Sequence, residues 1–312
     1  SEAHSNLGRI LIDLGKTKEA ELLLCKAIEI NPDLADAYLN LSSIFNDLGK
    51  LEQAEAYMLK ANRINPNIAI CYLNQGRNYQ LQNKVKKSIA SYIECIKLAS
   101  KNSAEELQAS VHLAVNHLIV GDFEAVSNYI NLFQKRIKEG GLKKIKSKVN
   151  RTHITASACH LSNLYPLLKI PSSNNLSSFI THIGESHCLS YAHQTIRISS
   201  EVKRIEPSII NGGKAWHFSS KYNNLFKSAF VKKIENIKNK KEVFISFGEI
   251  DCRKNEGILP YSLKYNQDIL EVCKNTISGY VDYIEAKLSK VCSQRYYFGV
   301  PAAVINNKTA DE

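Results

Sequence analysis

The sequence predicts an array of helical hairpins followed by an α/β domain, and two patterns lead to this fold class. Glycine, alanine, leucine and proline positions recur every 34 residues in the first third of the chain. After Pro171, short apolar runs alternate with helical segments, which is typical of a parallel sheet covered by helices on both faces. A chain of 312 residues is also longer than one compact core usually requires, so two domains are expected.

The repeat is carried by positions with distinct structural roles. Small residues let two antiparallel helices approach closely, glycine ends the first helix in a left-handed conformation, and proline stops the second helix. The first copy has Leu7, Gly15, Ala20, Ala27 and Pro32, and the second has Leu41, Gly49, Ala54, Ala61 and Pro66. A third copy keeps Gly76 and Tyr79, and a degenerate fourth is expected over 104–133. These residues and their period resemble the tetratricopeptide repeat family, which implies a repeat domain over residues 1–133 that binds proteins or peptides.

Asparagine occupies the same place in three successive repeats, at Asn6, Asn40 and Asn74. In the tetratricopeptide family the first helix of each pair lines a concave groove, so the three amides are expected to form a ladder along it. An amide both donates and accepts hydrogen bonds, which suits it to bind the backbone of an extended peptide. The alternative is that these asparagines cap or join neighbouring turns.

The region from 134 to 178 is predicted to be a basic helical linker, with a helix over 145–168, and the α/β domain is predicted over 179–312. In that domain strands are expected at 179–183, 208–210, 243–247 and 295–300, and helices at 187–198 and 261–290. Ligand sites in parallel sheets lie at the carboxyl ends of the strands, so the residues that follow the strands are the candidates for chemistry.

Three loops after strands carry the motifs of a second resemblance. Gly184, Glu185 and Ser186 form a sharp turn, Gly212 and Gly213 form a glycine loop, and residues 248–251 read Gly-Glu-Ile-Asp. This order resembles the SGNH or GDSL hydrolase superfamily. The resemblance implies an α/β/α fold, a serine esterase or acyltransferase activity and an ester of a glycan or small molecule as substrate.

The resemblance assigns roles to particular residues. It makes Ser186 the nucleophile, with its own N–H and that of Gly212 or Gly213 in the oxyanion hole, and it places Asp251 among the catalytic residues. His187, Glu249, Trp216 and His217 are candidates for substrate binding. Each has a structural alternative: His187 could cap the next helix, Asp251 could pair with Arg253, and Trp216 could belong to the core. Nothing in the spacing requires a metal or a cofactor, and neither is predicted.

The sequence also departs from the superfamily pattern. Ile250 occupies the place of the expected oxyanion-hole asparagine, and loss of one such donor typically costs ~10²–10³ in rate. The Asp-x-x-His block expected near the carboxyl terminus does not occur before Glu312, so the domain is predicted to be incomplete. The competing hypothesis is therefore a non-catalytic protein-binding adaptor in which a degenerate SGNH-like domain serves as a binding module.

Composition limits the remaining function classes. The net charge of +11 is concentrated in two lysine-rich runs, 135–151 and 227–241, which could attract phosphate or an anionic membrane but are also typical of solvated surfaces. Aromatic residues do not interleave with these lysines, so nucleic acid is not an expected partner. There is no apolar run long enough for a membrane span. Eight cysteines are scattered without a CxxC pair, which favours a reducing, cytoplasmic location.

Overall fold

The computed structural model describes residues 1–168, 178–198, 200–237, 242–248 and 257–297. Two compact units, Ser1–Ile170 and Pro171–Glu312, divide the chain. The first unit is helical and the second contains a mixed sheet with helices, and the residue ranges below give the elements of each.

The first unit consists of consecutive helical hairpins. The helices are α1 (Glu2–Asp13), α2 (Thr17–Ile30), α3 (Ala35–Asp47), α4 (Leu51–Ile64), α5 (Ala69–Leu81), α6 (Val85–Leu98), α7 (Ala104–Val120), α8 (Phe123–Lys138), α9 (Gly141–Lys144) and α10 (Lys148–Leu164). Within each of the first four hairpins the two helices pack against each other, and each hairpin packs on the next. The helix α10 lies against α7 and α8.

The ends of the hairpin helices have the predicted conformations. Gly15 and Gly49 both have φ of +73°, the left-handed region that glycine adopts most cheaply. In the third hairpin Asn83 fills the same position with φ of +60°, which asparagine tolerates better than most residues. The helices α2 and α4 end at Ile30 and Ile64, two residues before the prolines that were predicted to stop them.

The apolar core between the first two hairpins comes from the small and leucine positions of the repeat. Ala20, Leu24 and Ala27 on α2 are completely buried, and they join Leu41 and Ile44 of α3 in one cluster. Burial of such side chains is the main driving force for stacking, since a single hairpin cannot cover its own apolar face. The 34-residue pattern therefore determines both the hairpins and the way they stack.

The second unit contains a mixed sheet. Its strands are β1 (Phe179–Gly184), β2 (Thr195–Ile198), β3 (Glu201–Ile209), β4 (Glu242–Ser246) and β5 (Gln294–Tyr297), in the spatial order β2-β3-β1-β4-β5. The central strand β1 is parallel to both β3 and β4, and β4 is parallel to β5. The strand β2 is antiparallel to β3. The expectation of an entirely parallel sheet is therefore wrong, and a true SGNH α/β/α fold is not what the described residues show.

Two element predictions in this unit require correction. The helix expected over 187–198 is instead a short 3-10 helix, Ser186–Tyr191, followed by β2. His193 adopts a left-handed φ of +59° and its N–H donates to the Ile205 carbonyl oxygen, so the chain turns back beside β3 at this point. The single helix expected over 261–290 is divided in two, because Asn266 has a left-handed φ of +50° and Asp268 caps a new helix.

The helices of the second unit are α11 (Ala215–Ser219), α12 (Leu225–Glu235), α13 (Ile258–Tyr265) and α14 (Ile269–Leu288). An aromatic cluster joins α11 and α12 to Phe247, directly after β4: the ring centroid of Phe218 on α11 lies 4.7 Å from that of Phe247 and 5.7 Å from that of Phe230 on α12. Because rings of this size bury large areas, the cluster is a main part of the core of this unit.

Candidate functional site

The first candidate site is the row of first helices in the hairpin array. Successive first helices adjoin one another: α1 contacts α3, and α5 contacts α7. The amide of Asn78 on α5 donates to Asn46 Oδ1 on α3 at 2.8 Å and to the Leu51 carbonyl oxygen at 3.0 Å. Gln80 on α5 donates to Asn116 on α7 at 3.1 Å. These bonds fix the spacing of the first helices, so equivalent positions on them follow one another along the array.

The three predicted ladder residues lie on α1, α3 and α5, at the sixth position of each repeat. Asn6 is exposed, and Asn40 and Asn74 are half-buried. Within the described residues no hydrogen bond is found for these three side chains. Their amides are thus available to a partner, in contrast to the engaged amides of Asn78 and Gln80.

A second set of polar residues in the array was missed by the sequence reasoning. Gln75 and Asn78 on α5, and Gln82 directly after it, are almost completely buried, and each forms hydrogen bonds to a neighbouring helix. In the first two repeats the equivalent positions hold leucine and isoleucine. This replacement of apolar residues by polar ones at stacking positions could have indicated the network from the sequence. Buried amides are generally hydrogen-bonded, so polar residues at such positions imply partners on a neighbouring helix.

The second candidate site is the edge of the sheet at the carboxyl ends of the parallel strands. Gly184 at the end of β1 is in register with Ile209 of β3 and with Ser246 of β4. The Ile210 N–H donates to the Gly184 carbonyl oxygen at 2.7 Å, and the Glu185 N–H donates to the Ser246 carbonyl oxygen at 3.3 Å. The loops after these three strands therefore begin side by side.

The order of the strands indicates where along this edge a ligand would bind. From β1 the chain continues to β3 on one side of the sheet, whereas from β4 it continues to β5 on the other side. In open α/β sheets a crevice for ligands forms where connections leave in opposite directions. That place is between the ends of β1 and β4, and Ser186 follows β1 there as a half-buried residue at the start of the 3-10 helix.

The described residues include only some of the predicted residues of this site. Gly212 has a left-handed φ of +74°, but the N–H of Gly213 donates to the Ile210 carbonyl oxygen at 3.0 Å. The Gly213 N–H is thus engaged in its own turn rather than available to an oxyanion. Asp251, Glu249 and Ile250 lie outside the described residues, as does the side chain of His187.

His217 has a local structural partner. Its Nδ1 accepts a hydrogen bond from the Lys214 N–H at 3.0 Å, and its ring stacks on Phe226 with centroids 3.8 Å apart. Burial, together with the charge of Lys214, lowers the pKa of His217 to about 4. These contacts cap and pack the helix α11. Its neighbour Trp216 is half-buried against the ring of Tyr261, with centroids 4.4 Å apart, which matches the packing alternative.

A buried histidine–serine pair beneath the same edge was not predicted. His182 on β1 is 1% exposed, and its Nε2 lies 2.8 Å from Ser246 Oγ on β4. Burial lowers the pKa of His182 to about 4, so the imidazole is neutral at pH 7. A side chain at Gly184 would collide with Ser246, so glycine at that position permits the pair to form. The alternation of β1 could have indicated an inward-facing histidine.

The cysteines agree only in part with their predicted places. Cys71 and Cys95 are buried as expected for apolar helical positions, but Cys25 is exposed on α2. The seven cysteines of the described residues are all free thiols, and Cys252 lies outside those residues. Among the described helices, none has the length together with the hydropathy that a membrane span needs.

Comparison with protein-family models supplies the deciding observation for the first unit. The tetratricopeptide repeat model matches residues 1–34, 35–68 and 69–102. Residues 1–102 are three tetratricopeptide repeats. The hairpin of α7 and α8 follows the tetratricopeptide repeats directly and packs on the third of them.

Several solved structures are similar to the chain. MamA is 21% identical, with 46% of this chain and 79% of that chain covered and a TM-score of 0.40. The pilF protein of Pseudomonas aeruginosa is 19% identical, with 55% and 77% covered and a TM-score of 0.41. TTC0263, a tetratricopeptide repeat protein of Thermus thermophilus, is 22% identical, with 51% and 81% covered and a TM-score of 0.40. At these values the similarity says nothing about partner or activity.

No curated protein matches the chain. None of the comparisons supports the resemblance of the second unit to SGNH or GDSL hydrolases, and they provide no evidence for esterase or acyltransferase activity. The protein-interaction role of tetratricopeptide repeats is the function class that the comparisons support.

Proposed function

We propose that the chain is a non-catalytic adaptor whose tetratricopeptide repeats bind an extended protein segment along their first helices. The observation that carries this proposal is the recurrence of Asn6, Asn40 and Asn74 at one repeat position, with amides that no other described residue engages. Packed helices lie about 8–10 Å apart and an extended chain advances about 3.4 Å per residue, so amides on successive helices can pair with peptide groups about three residues apart in a ligand. Such binding is tolerant of ligand sequence, because it uses the backbone rather than particular side chains.

The partner is therefore expected to be a peptide segment that is extended when bound. Burial of such a segment orders it and costs conformational entropy, so affinity depends on how many of its backbone groups are paired. Removing the three amides should lower affinity without altering the helices that carry them, since Asn6 is exposed and Asn40 and Asn74 are half-buried.

The test starts from peptides selected on the full chain from a random peptide library. The dissociation constant of a selected peptide is then measured by fluorescence anisotropy for the wild type and for Asn6→Ala/Asn40→Ala/Asn74→Ala. We expect at least about tenfold weaker binding by the variant, equivalent to about 1.4 kcal/mol, with an unchanged far-ultraviolet circular dichroism spectrum.

A matched control changes three residues that are equivalent to one another on the second helices. Lys18, Glu52 and Lys86 are all exposed, so Lys18→Ala/Glu52→Ala/Lys86→Ala should bind the peptide as the wild type does. If the control loses as much affinity as the asparagine variant, the ladder is not the binding surface.

A second candidate function, a serine esterase, is favoured by one observation. Ser186 follows the central strand at the point where the strand order reverses, which is where α/β sheets bind ligands. Because the Asp-x-x-His block does not occur before Glu312, the chain would then hydrolyse p-nitrophenyl acetate only slowly, and Ser186→Ala would abolish that hydrolysis. Equal rates for the two proteins would leave the adaptor as the function of the chain.

A further inference from the structure

We infer that α1 carries a docking surface for the second helix of a further tetratricopeptide-type hairpin, placed before α1 as α2 is placed before α3. The surface, called the α1 stripe below, consists of Ala3, Leu7 and Ile10 on α1 and Leu14 directly after it. These residues recur at spacings of four and three along the helix and therefore share one face of it. This inference is independent of the proposed peptide groove.

The residue identities of the stripe are repeated in α3, where the covering helix is present. One period later the chain has Ala37, Leu41, Ile44 and Leu48, the same four residue types in the same order. Ala37, Leu41 and Ile44 are at most 1% exposed. They share a cluster with the second helix of the preceding repeat, through Ala20, Leu24 and Ala27.

On α1 the same residue types are uncovered. Leu7 is 48% exposed, Ile10 is 47% exposed and Leu14 is 67% exposed. Three large apolar side chains in one row form a patch that a stable monomer rarely leaves in water. At the first three places the difference between the two repeats arises from the absence of a helix in front of α1 within this structure. The fourth place is only partly covered even in the second repeat, where Leu48 is 38% exposed.

The third repeat shows that the preceding hairpin covers these positions whatever their chemistry. Cys71, Gln75, Asn78 and Gln82 stand at the equivalent places on α5, and each is at most 6% exposed. Their polar groups are satisfied from the preceding repeat: Gln75 by Asn62, Asn78 by Asn46, and Gln82 by Glu55. The apolar α1 stripe accordingly fits an apolar covering helix of the α2 kind, with a small residue, leucine and a small residue at spacings of four and three.

A second copy of the chain is a poorer occupant. The small and large apolar residues of α2 and α4 that could cover such a stripe are already buried in the core of this chain. The apolar residues of α8 are buried too. None of these three helices is therefore free to cover α1 of another molecule. A further hairpin in the 34-residue register supplies the helix that the stripe matches.

The experiment duplicates residues 1–34 directly before Ser1 of the full chain, so that a second copy of α2 precedes α1 in register. We expect a higher Tm than that of the 312-residue chain and amide hydrogen exchange in α1 slowed by about tenfold or more. The variant Leu7→Glu/Ile10→Glu, made on the original α1, tests the surface itself. In the 312-residue chain it should shift Tm by no more than about 3 °C because both positions are half-exposed, whereas in the extended chain it should remove the gain.

Three results would overturn the inference. The extended chain could unfold at the same Tm as the original chain, or the gain could survive Leu7→Glu/Ile10→Glu. Light scattering could also show that the original chain is a dimer which Leu7→Glu/Ile10→Glu dissociates, and the occupant would then be a second copy.

Discussion

His182 shows how one buried residue makes the stability of the second unit depend on pH. Its pKa is lowered from 6.5 to about 4 by burial, and that of His217 is lowered to the same value by burial and Lys214. Because the unfolded chain takes up these protons at higher pH than the folded chain, the stabilisation is complete above about pH 6.5 and is lost as the pH falls towards 4.

The predicted outcome is a lower Tm of the second unit at pH 5 than at pH 7.5. Trp216 is the single tryptophan of the chain, so its fluorescence reports on this unit alone. The loss attributable to His182 should approach about 3 kcal/mol near pH 4, as follows from a shift of this size. His182→Gln should reduce the pH dependence, and an unchanged pH profile in that variant would exclude His182 as the cause.

At the residue scale the sequence predicts positions whose role is local. The left-handed conformation of Gly15 and Gly49 was predicted because a helix end of this kind favours a residue without a side chain. The repeat places glycine at that position twice. The roles of His217 and Gly213 could not be predicted, because a short motif does not reveal that an imidazole caps its own helix or that an N–H closes its own turn. The roles of Ser186 and the asparagine ladder stay predictions.

At the scale of elements, a buried ion pair links β3 and β4, the strands on either side of β1. Lys203 on β3 contacts Glu242 on β4, and both residues are at most 6% exposed. Glu201 lies 3.1 Å from the same ammonium group. Hydrogen bonding to Glu242 raises the pKa of Lys203, opposing the effect of burial. Removing one partner from such a pair leaves a buried charge without compensation, which costs far more than the pair itself contributes.

Lys203→Met is therefore expected to destabilise the second unit by about 3–5 kcal/mol in urea unfolding followed by Trp216 fluorescence. Lys203→Met/Glu242→Leu should recover most of that loss, because no charge is then left buried. The more exposed pair of Lys232 and Glu235 on α12 offers a comparison within the same unit, and Lys232→Met should change stability by less than about 1 kcal/mol. A double variant as unstable as the single one would contradict this account.

The elements differ in how well they could be predicted. The hairpin helices followed from a period that appears three times, so each copy supported the others. The strand β2 was mistaken for a helix because its four residues are stabilised by pairing with β3, which a local pattern does not contain. The break between α13 and α14 depends on the left-handed Asn266, and asparagine is found in helices as well as at their ends.

At the scale of the whole molecule, the two units differ in what establishes them. In the first, residues 1–102 are assigned by the tetratricopeptide repeat model, and the hairpin of α7 and α8 stacks on the third repeat. The second is a mixed sheet whose loops meet at one edge, and its resemblance to SGNH hydrolases rested on three short motifs, one of which lies largely outside the described residues. The interaction function therefore rests on the repeats. The domain limits at 133 and 178 and the cytoplasmic location are still proposals.

The measurement that tests the peptide-binding proposal most directly is the nuclear magnetic resonance spectrum of the asparagine side-chain amides. The full chain is labelled with ¹⁵N in asparagine, and single alanine variants assign the signals of Asn6, Asn40 and Asn74. A selected peptide is then added. The proposal predicts that these three signals shift at the peptide concentrations that saturate binding, whereas the signals of the buried amides of Asn78 and Asn116 stay in place. Binding of the peptide with all three ladder signals unmoved would contradict it.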